Sequence, residues 1–157
     1  MTTGPQEGRK APAFSMETTA GKRRLADYAG KYLVLYFYPK DDTPGCTQEA
    51  LDFSAHAKAF EKAGAVVLGV SRDPLSRHEK FAAKHALTIQ LGSDEDGKVS
   101  EAYGTWEEKS MYGRTYMGMA RRTFLIGPDG KIIRVWPKVR VKGHAEDVLE
   151  NINSLTG

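Results

Sequence analysis

The sequence predicts an α/β domain built on a mixed β-sheet flanked by helices, and three features carry that prediction. Two continuously apolar runs, residues 33–38 (LVLYFY) and 65–71 (AVVLGVS), have the length and composition of strands covered on both faces. Each is followed by a stretch with helical spacing, the alternation that parallel crossover units require. Nearer the C-terminus, the strand-like runs 123–126 and 132–136 flank Gly127-Pro128-Asp129-Gly130 and so read as an antiparallel hairpin.

Taken in order, residues 1–10 are polar and read as a flexible N-terminal tail, leaving 11–157 as one domain. Residues 11–24 are broken, with a weak strand signal around Phe14-Ser15-Met16 and a turn at Gly21. After the first apolar strand, residues 43–62 repeat Phe53, Ala57 and Phe60 at helical spacing. Asp73-Pro74 stops the second strand, and 75–85 reads as a helix with Phe81 on its apolar side. A short strand at 87–91, a turn-rich segment at 92–98 and a small helical piece at 99–103 follow. Residues 104–119 are the least regular and suggest an ordered loop or weak strand, and a helix around 144–154 closes the chain. This order suits a thioredoxin-like fold, although a fold does not specify chemistry.

Composition removes several classes of function. A net charge of +3, with basic residues spread along the chain, gives no footprint for nucleic acid. No apolar run approaches the roughly 20 residues of a membrane helix. The polar N-terminus has no secretory h-region, so the expected location is cytoplasmic. One cysteine excludes an internal disulfide, a Cys-x-x-Cys pair and an all-cysteine zinc site. His78-Glu79 would open a zinc helix only with histidine at position 82, where the chain has Ala82. His56, His78, His85 and His144 are therefore expected to be surface or partly buried residues, with no metal and no cofactor.

The chemistry concentrates at the lone cysteine. Thr43 is a good N-cap and Pro44 a favoured first helical residue, which makes Cys46 the third residue of a helix. A sulfur there faces free backbone donors and the positive helix end, so it is expected to be ionised and reactive. A thiolate attacking a peroxide needs donors aimed at the leaving oxygen. Threonine supplies a hydroxyl and arginine a fork of donors that keeps its protons. Glu49, one turn after Cys46, can orient an arginine, and Pro39, Tyr36 and Tyr38 can wall the sulfur from water.

Pro39-x-x-x-Thr43-x-x-Cys46 resembles the peroxidatic signature of peroxiredoxins, and residues 36–40 and 43–47 resemble their bacterioferritin comigratory protein (PrxQ) subgroup. Ala11-Pro12-Ala13-Phe14, Gly69-Val70-Ser71, residues 121–126 and Gly143-His144-Ala145 extend the similarity over nearly the whole chain. The resemblance implies that Cys46 is the nucleophile, that Thr43 hydrogen-bonds the peroxide and that Pro39 shields the sulfur. The family's arginine precedes Ser/Thr-Phe, which selects Arg121, and Glu49 matches its supporting acid. Arg122 is the neighbouring rival, expected by alternation to face the other way.

Many members of the subgroup carry a resolving cysteine five residues on, where this chain has Leu51. The expected activity is thus a single-cysteine thiol peroxidase for hydrogen peroxide and organic hydroperoxides. Its Cys46 sulfenic acid would be resolved by an external thiol such as thioredoxin, glutaredoxin or glutathione. The resemblance also implies a monomer as the common state. Two other readings stay open from the residues alone: a thiol-transfer protein that makes little use of peroxide, and a non-enzymatic redox sensor.

Overall fold

The computed structural model describes residues 4–156. Its axis is β3 (Tyr32–Phe37), which pairs in parallel with β4 (Ala65–Ser71) and antiparallel with β8 (Arg122–Ile126). Both backbone edges of β3 are therefore satisfied, and both of its faces are covered. Pleating sends Val34, Tyr36 and the following Tyr38 into one core with Cys46, Ala50 and Phe53. Leu33, Leu35 and Phe37 enter a second core with Leu68, Val70 and Phe124. This two-sided burial explains why the strand reads as a continuous apolar run.

The sheet is completed by β1 (Ser15–Thr18), β2 (Gly21–Arg24), β5 (Gln90–Ser93) and β9 (Ile132–Trp136), in the order β2-β1-β5-β4-β3-β8-β9. Among its neighbouring strands, β3 with β4 and β4 with β5 pair in parallel, and the other pairs are antiparallel. The hairpin expected around Gly127-Pro128-Asp129-Gly130 is β8–β9, and Gly130 takes the positive φ of 82° that its turn requires. The helices are α1 (Pro44–Ala55), α2 (Ala57–Lys62), α3 (Leu75–His85), α4 (Lys98–Ala102) and α5 (His144–Thr156). This is the thioredoxin-like α/β architecture.

Local departures from the sequence reading have physical causes. The helix expected over 43–62 is two helices, because His56 leaves helical geometry at φ −102°, ψ 9°. Residues 104–119 form a separate antiparallel ribbon, β6 (Trp106–Met111) and β7 (Arg114–Met119), turned at Tyr112-Gly113, both with positive φ. Much of this ribbon is exposed, so no period-two apolar pattern marks it in the sequence. Part of the segment read as a tail lies along β9. Gly8 donates to the Ile132 carbonyl at 2.8 Å, Ile132 donates to the Arg9 carbonyl at 2.9 Å, and Lys10 bridges Lys131. These are backbone bonds, which leave no trace in side-chain pattern. Residues 1–3 of that tail lie outside the described residues.

Two packing details orient the helix that carries Cys46. The Tyr36 ring lies across Gly69 of β4, where an added Cβ would stand 2.6 Å from Tyr36 Cζ. The same ring stacks on Phe53 of α1 with centroids 4.7 Å apart. At the start of α5, His144 is buried edge-on against Phe53 and Trp136, and its Nε2 lies 2.8 Å from Thr123 Oγ1. Burial lowers the His144 pKa from 6.5 to about 4.

Two predictions follow from this packing. Gly69→Ala should displace Tyr36 and destabilise the fold by about 1–3 kcal/mol in denaturant titrations. For His144, the unfolded chain binds a proton that the folded chain refuses between pH 6.5 and about 4. Its contribution to stability is thus present above pH 6.5 and is lost as pH falls through that window. Urea midpoints should drop across it in the wild type, and less steeply in His144→Gln.

Candidate active site

α1 begins as the sequence requires. Thr43 is the N-cap with extended φ −95°, ψ 155°, Pro44 occupies the first turn, and Thr47 N–H donates to the Thr43 carbonyl at 2.8 Å. This start places Cys46 in the first turn with only 2% of its surface exposed. The sulfur meets a guanidinium brought in beside β8: Arg121 Nη2 donates to Cys46 Sγ at 3.3 Å.

Arg121 reaches the site because of its position in the chain. It is the residue immediately before β8, whose Arg122 pairs with Phe37 at the end of β3. Alternation separates the two arginines. Arg122 turns away to the Gly104 carbonyl at 2.7 Å and the Glu107 carboxylate at 3.4 Å. Close approach also needs a small residue on α1, since a Cβ at Gly45 would stand 3.2 Å from Arg121 Nη2.

The second arm of the fork, Arg121 Nη1, donates to Glu49 Oε1 at 2.6 Å. Glu49 is 1% exposed, and burial raises its pKa from 4.5 to about 7, against the opposing pull of Arg121. Burial also works against the Arg121 charge, but Glu49 and Cys46 outweigh it and hold the guanidinium protonated. Among the described residues, Glu49 Oε2 and the Tyr36 hydroxyl are the buried side-chain polar atoms without a hydrogen-bond partner. Burial first, then the nearby Glu49 and Cys46, raise the Tyr36 pKa well above its ordinary value.

The other sequence candidates sit on the loop between β3 and α1. Thr43 Oγ1 donates to the Lys40 carbonyl at 2.9 Å and makes no capping bond to the helix. Pro39 is exposed at the start of that loop, directly after the buried Tyr38. Cys46, Glu49 and Arg121 therefore form one hydrogen-bonded unit, while Thr43 and Pro39 belong to the loop beside it.

Sequence reasoning missed Lys109. Its Nζ donates to the Met119 carbonyl at 2.5 Å, and it is near enough for its charge to couple to Arg121 and Cys46. Burial lowers its pKa. The signal was hidden because Lys109 lies on β6, in the segment read as irregular. Sequence reading also expected the histidines to be at the surface or partly buried, whereas His78 is fully buried and His144 nearly so.

Asp41, Asp73 and His78 bring metal-ligand-type atoms within 4.8 Å of one another. Those atoms already have partners. Tyr38 donates to Asp41 Oδ1, and Asp41 Oδ2 lies 2.6 Å from His78 Nδ1. His78 Nε2 donates to the Gly92 carbonyl at 2.8 Å, and Asp73 Oδ2 accepts from Asp41 N–H at 2.9 Å and Ser71 Oγ at 2.5 Å. The donor set is that of a hydrogen-bonded network.

Known proteins share both the fold and the length of the chain. The AhpC/TSA family matches residues 8–135. Peroxiredoxin Bcp of Bacillus subtilis (strain 168) is 44% identical over 150 residues, covering 95% of this chain and 96% of that protein. Peroxiredoxin Bcp of Escherichia coli (strain K12) is 42% identical over 140 residues, covering 88% and 90%. Among solved structures, Xanthomonas campestris peroxiredoxin Q superposes with a TM-score of 0.87 at 43% identity, over 92% of each chain. A PrxQ variant from Xylella fastidiosa gives a TM-score of 0.89 at 39% identity, over 100% and 98%. With its sulfur, guanidinium and carboxylate joined on this fold, the chain belongs to the AhpC/TSA family and, within it, to the Bcp/PrxQ peroxiredoxins, which are thiol-dependent peroxidases.

Proposed function

We propose that Cys46 is the peroxidatic nucleophile and that the chain reduces hydrogen peroxide and organic hydroperoxides. The observation that carries this reading is the Arg121 fork, with one arm on Cys46 Sγ and the other on Glu49. A guanidinium at 3.3 Å donates to the sulfur and is available to the alkoxide that leaves during O–O cleavage. A relative supports the substrate class: a structure of Xanthomonas campestris bacterioferritin comigratory protein, 43% identical, concerns alkyl peroxide reduction.

The step begins with the Cys46 thiolate attacking the terminal oxygen of the hydroperoxide. An S–O bond forms, the O–O bond breaks, and the leaving alkoxide or hydroxide takes a proton. Cys46 is oxidised to a sulfenic acid and the peroxide is reduced to alcohol or water. The Thr43 hydroxyl proton is committed to the Lys40 carbonyl, so its lone pairs are left to accept from the O–H of the peroxide. Glu49 anchors the guanidinium. Pro39, with its fixed φ, screens the sulfur from water at the loop's start.

Cys46 is the chain's one cysteine, and Leu51 stands, 37% exposed, where many subgroup members carry the resolving thiol. An external thiol therefore attacks the sulfenic sulfur, expels water and forms a mixed disulfide. A second thiol reduces that bond. Thioredoxin, glutaredoxin and glutathione all carry suitable groups. Among the described residues, no helix is long and apolar enough to cross a membrane. We assign the enzyme to the cytoplasm as a monomer.

Stopped-flow mixing with peroxide tests the assignment. Cys46→Ser should abolish turnover. Arg121→Ala should slow sulfenic acid formation by about 10²–10³-fold, the effect of losing one oxyanion donor. Thr43→Val should slow it as well, and a wild-type rate there would remove Thr43 from the mechanism. A neutral thiol at pH 7, read from alkylation against pH, would overturn the nucleophile assignment itself.

The Glu49 pair adds a pH dependence. As pH falls through about 7, burial drives a proton onto Glu49, and Arg121 loses its anionic anchor. The peroxide step should slow across that range. Glu49→Gln should be slower at pH 8 but should lack this acid limb, and an unchanged limb would exclude Glu49 as its source.

A further inference from the structure

The loop between β3 and α1 carries Pro39 and Thr43, yet neither side chain fixes it to the body of the domain. The hydrogen bond of Thr43 to Lys40 closes the loop on itself. What anchors the loop lies on its inner side. Asp41 is 1% exposed, and every polar atom of its side chain is engaged. Oδ1 accepts from the Tyr38 hydroxyl, and Oδ2 lies 2.6 Å from Nδ1 of a fully buried His78. Its backbone N–H donates to Asp73 Oδ2 at 2.9 Å.

The opposite nitrogen of His78 faces the Gly92 carbonyl at 2.8 Å, and a carbonyl only accepts. Nε2 therefore bears a proton, and a second proton lies between Nδ1 and the Asp41 carboxylate. His78 is a bolt with both ends fixed, one in β5 and one in the loop. α3 grips the outer side too. Lys84 Nζ and His85 Nε2 reach the Asp42 carboxylate at 2.7 Å and 3.0 Å. Between these grips Asp42 takes φ 61°, the left-handed region that aspartate enters more readily than most non-glycine residues.

We propose that His78, acting through Asp41 and Tyr38, is a positioning residue for the peroxide step: it locks the loop bearing Pro39 and Thr43 in register with Cys46. The role rests on Cys46 being the peroxidatic nucleophile. A buried pair serves this purpose better than apolar packing because it is directional. Displacing either partner leaves a buried polar group unpaired, so the loop has one low-energy setting. Misplacing catalytic groups by about 1 Å can cost about 10²-fold in rate.

The test is the rate of Cys46 oxidation by hydrogen peroxide in the full chain, beside the rate and pH midpoint of Cys46 alkylation. Asp41→Ala and His78→Phe should oxidise roughly 10- to 100-fold more slowly. Their alkylation should be faster, because the released loop uncovers the sulfur, and its pH midpoint should stay with the wild type. Asp41→Asn keeps the acceptor for Tyr38 and offers an N–H to Nδ1 of neutral His78. It should recover at least about tenfold of the rate lost in Asp41→Ala. The double variant Asp41→Ala/His78→Phe should be no slower than the slower single one, as expected of one unit.

If circular dichroism shows His78→Phe unfolded, Tyr38→Phe, which deletes one hydroxyl, replaces it and should slow oxidation severalfold. Folded variants that lose thermal stability but oxidise at the wild-type rate overturn the proposal, as does an Asp41→Asn no faster than Asp41→Ala. A wild-type protein that oxidises no faster than free cysteine would instead overturn the nucleophile assignment beneath it.

Discussion

A single guanidinium holds this site together. Arg121 is shared between a sulfur and a carboxylate, and the rest of the local structure serves to make that sharing possible. Breaking a buried ion pair by removing one member costs about 3–5 kcal/mol when the other is left charged. Here the survivor has an escape, because burial already lifts Glu49 to a pKa of about 7, where it takes up a proton easily. The pairing therefore governs geometry at the sulfur more than it governs whether the chain folds. It also explains the small Gly45 beside the guanidinium and the near-complete burial of Cys46.

The fold supplies the two surfaces between which this unit forms. β3 anchors α1 on one face through Tyr36, which sits on Gly69 and stacks against Phe53. β8, paired with β3 on its other edge, delivers Arg121 at its start. The cysteine and the arginine are 75 residues apart in sequence, yet both hang from the same central strand. The polar network of Tyr38, Asp41 and His78 continues the logic from the end of β3, tying the intervening loop to α3 and β5.

Legibility in the sequence followed burial. β3 and β4 were readable because continuous apolar runs mark strands covered on both faces, and the β8–β9 hairpin because its turn residues are chemically distinctive. The β6–β7 ribbon was not, since it is covered too little for a periodic pattern and turns at Tyr112-Gly113, a weak signal. The break at His56 and the pairing of residues 8–11 with the β8–β9 turn region and β9 depend on backbone geometry, to which side-chain periodicity is blind. In the site, Cys46, Glu49 and Arg121 were legible as a spacing and as a resemblance. Lys109 and the Asp41–His78 pair were not, because their roles depend on partners far along the chain.

By itself the sequence determined the chemistry on offer: one sulfur at a helix start after Thr43-Pro44, an acid one turn on, and no second thiol to close a disulfide. Those are local facts, written in residue type and spacing. The tertiary structure alone decided how closely Arg121 approaches the sulfur, how far burial raises the carboxylate beside it, and that a histidine expected to be at the surface or partly buried lies at 0% exposure beneath the loop. Such properties depend on desolvation and on distances between distant segments, and these come into being only when the chain closes on itself.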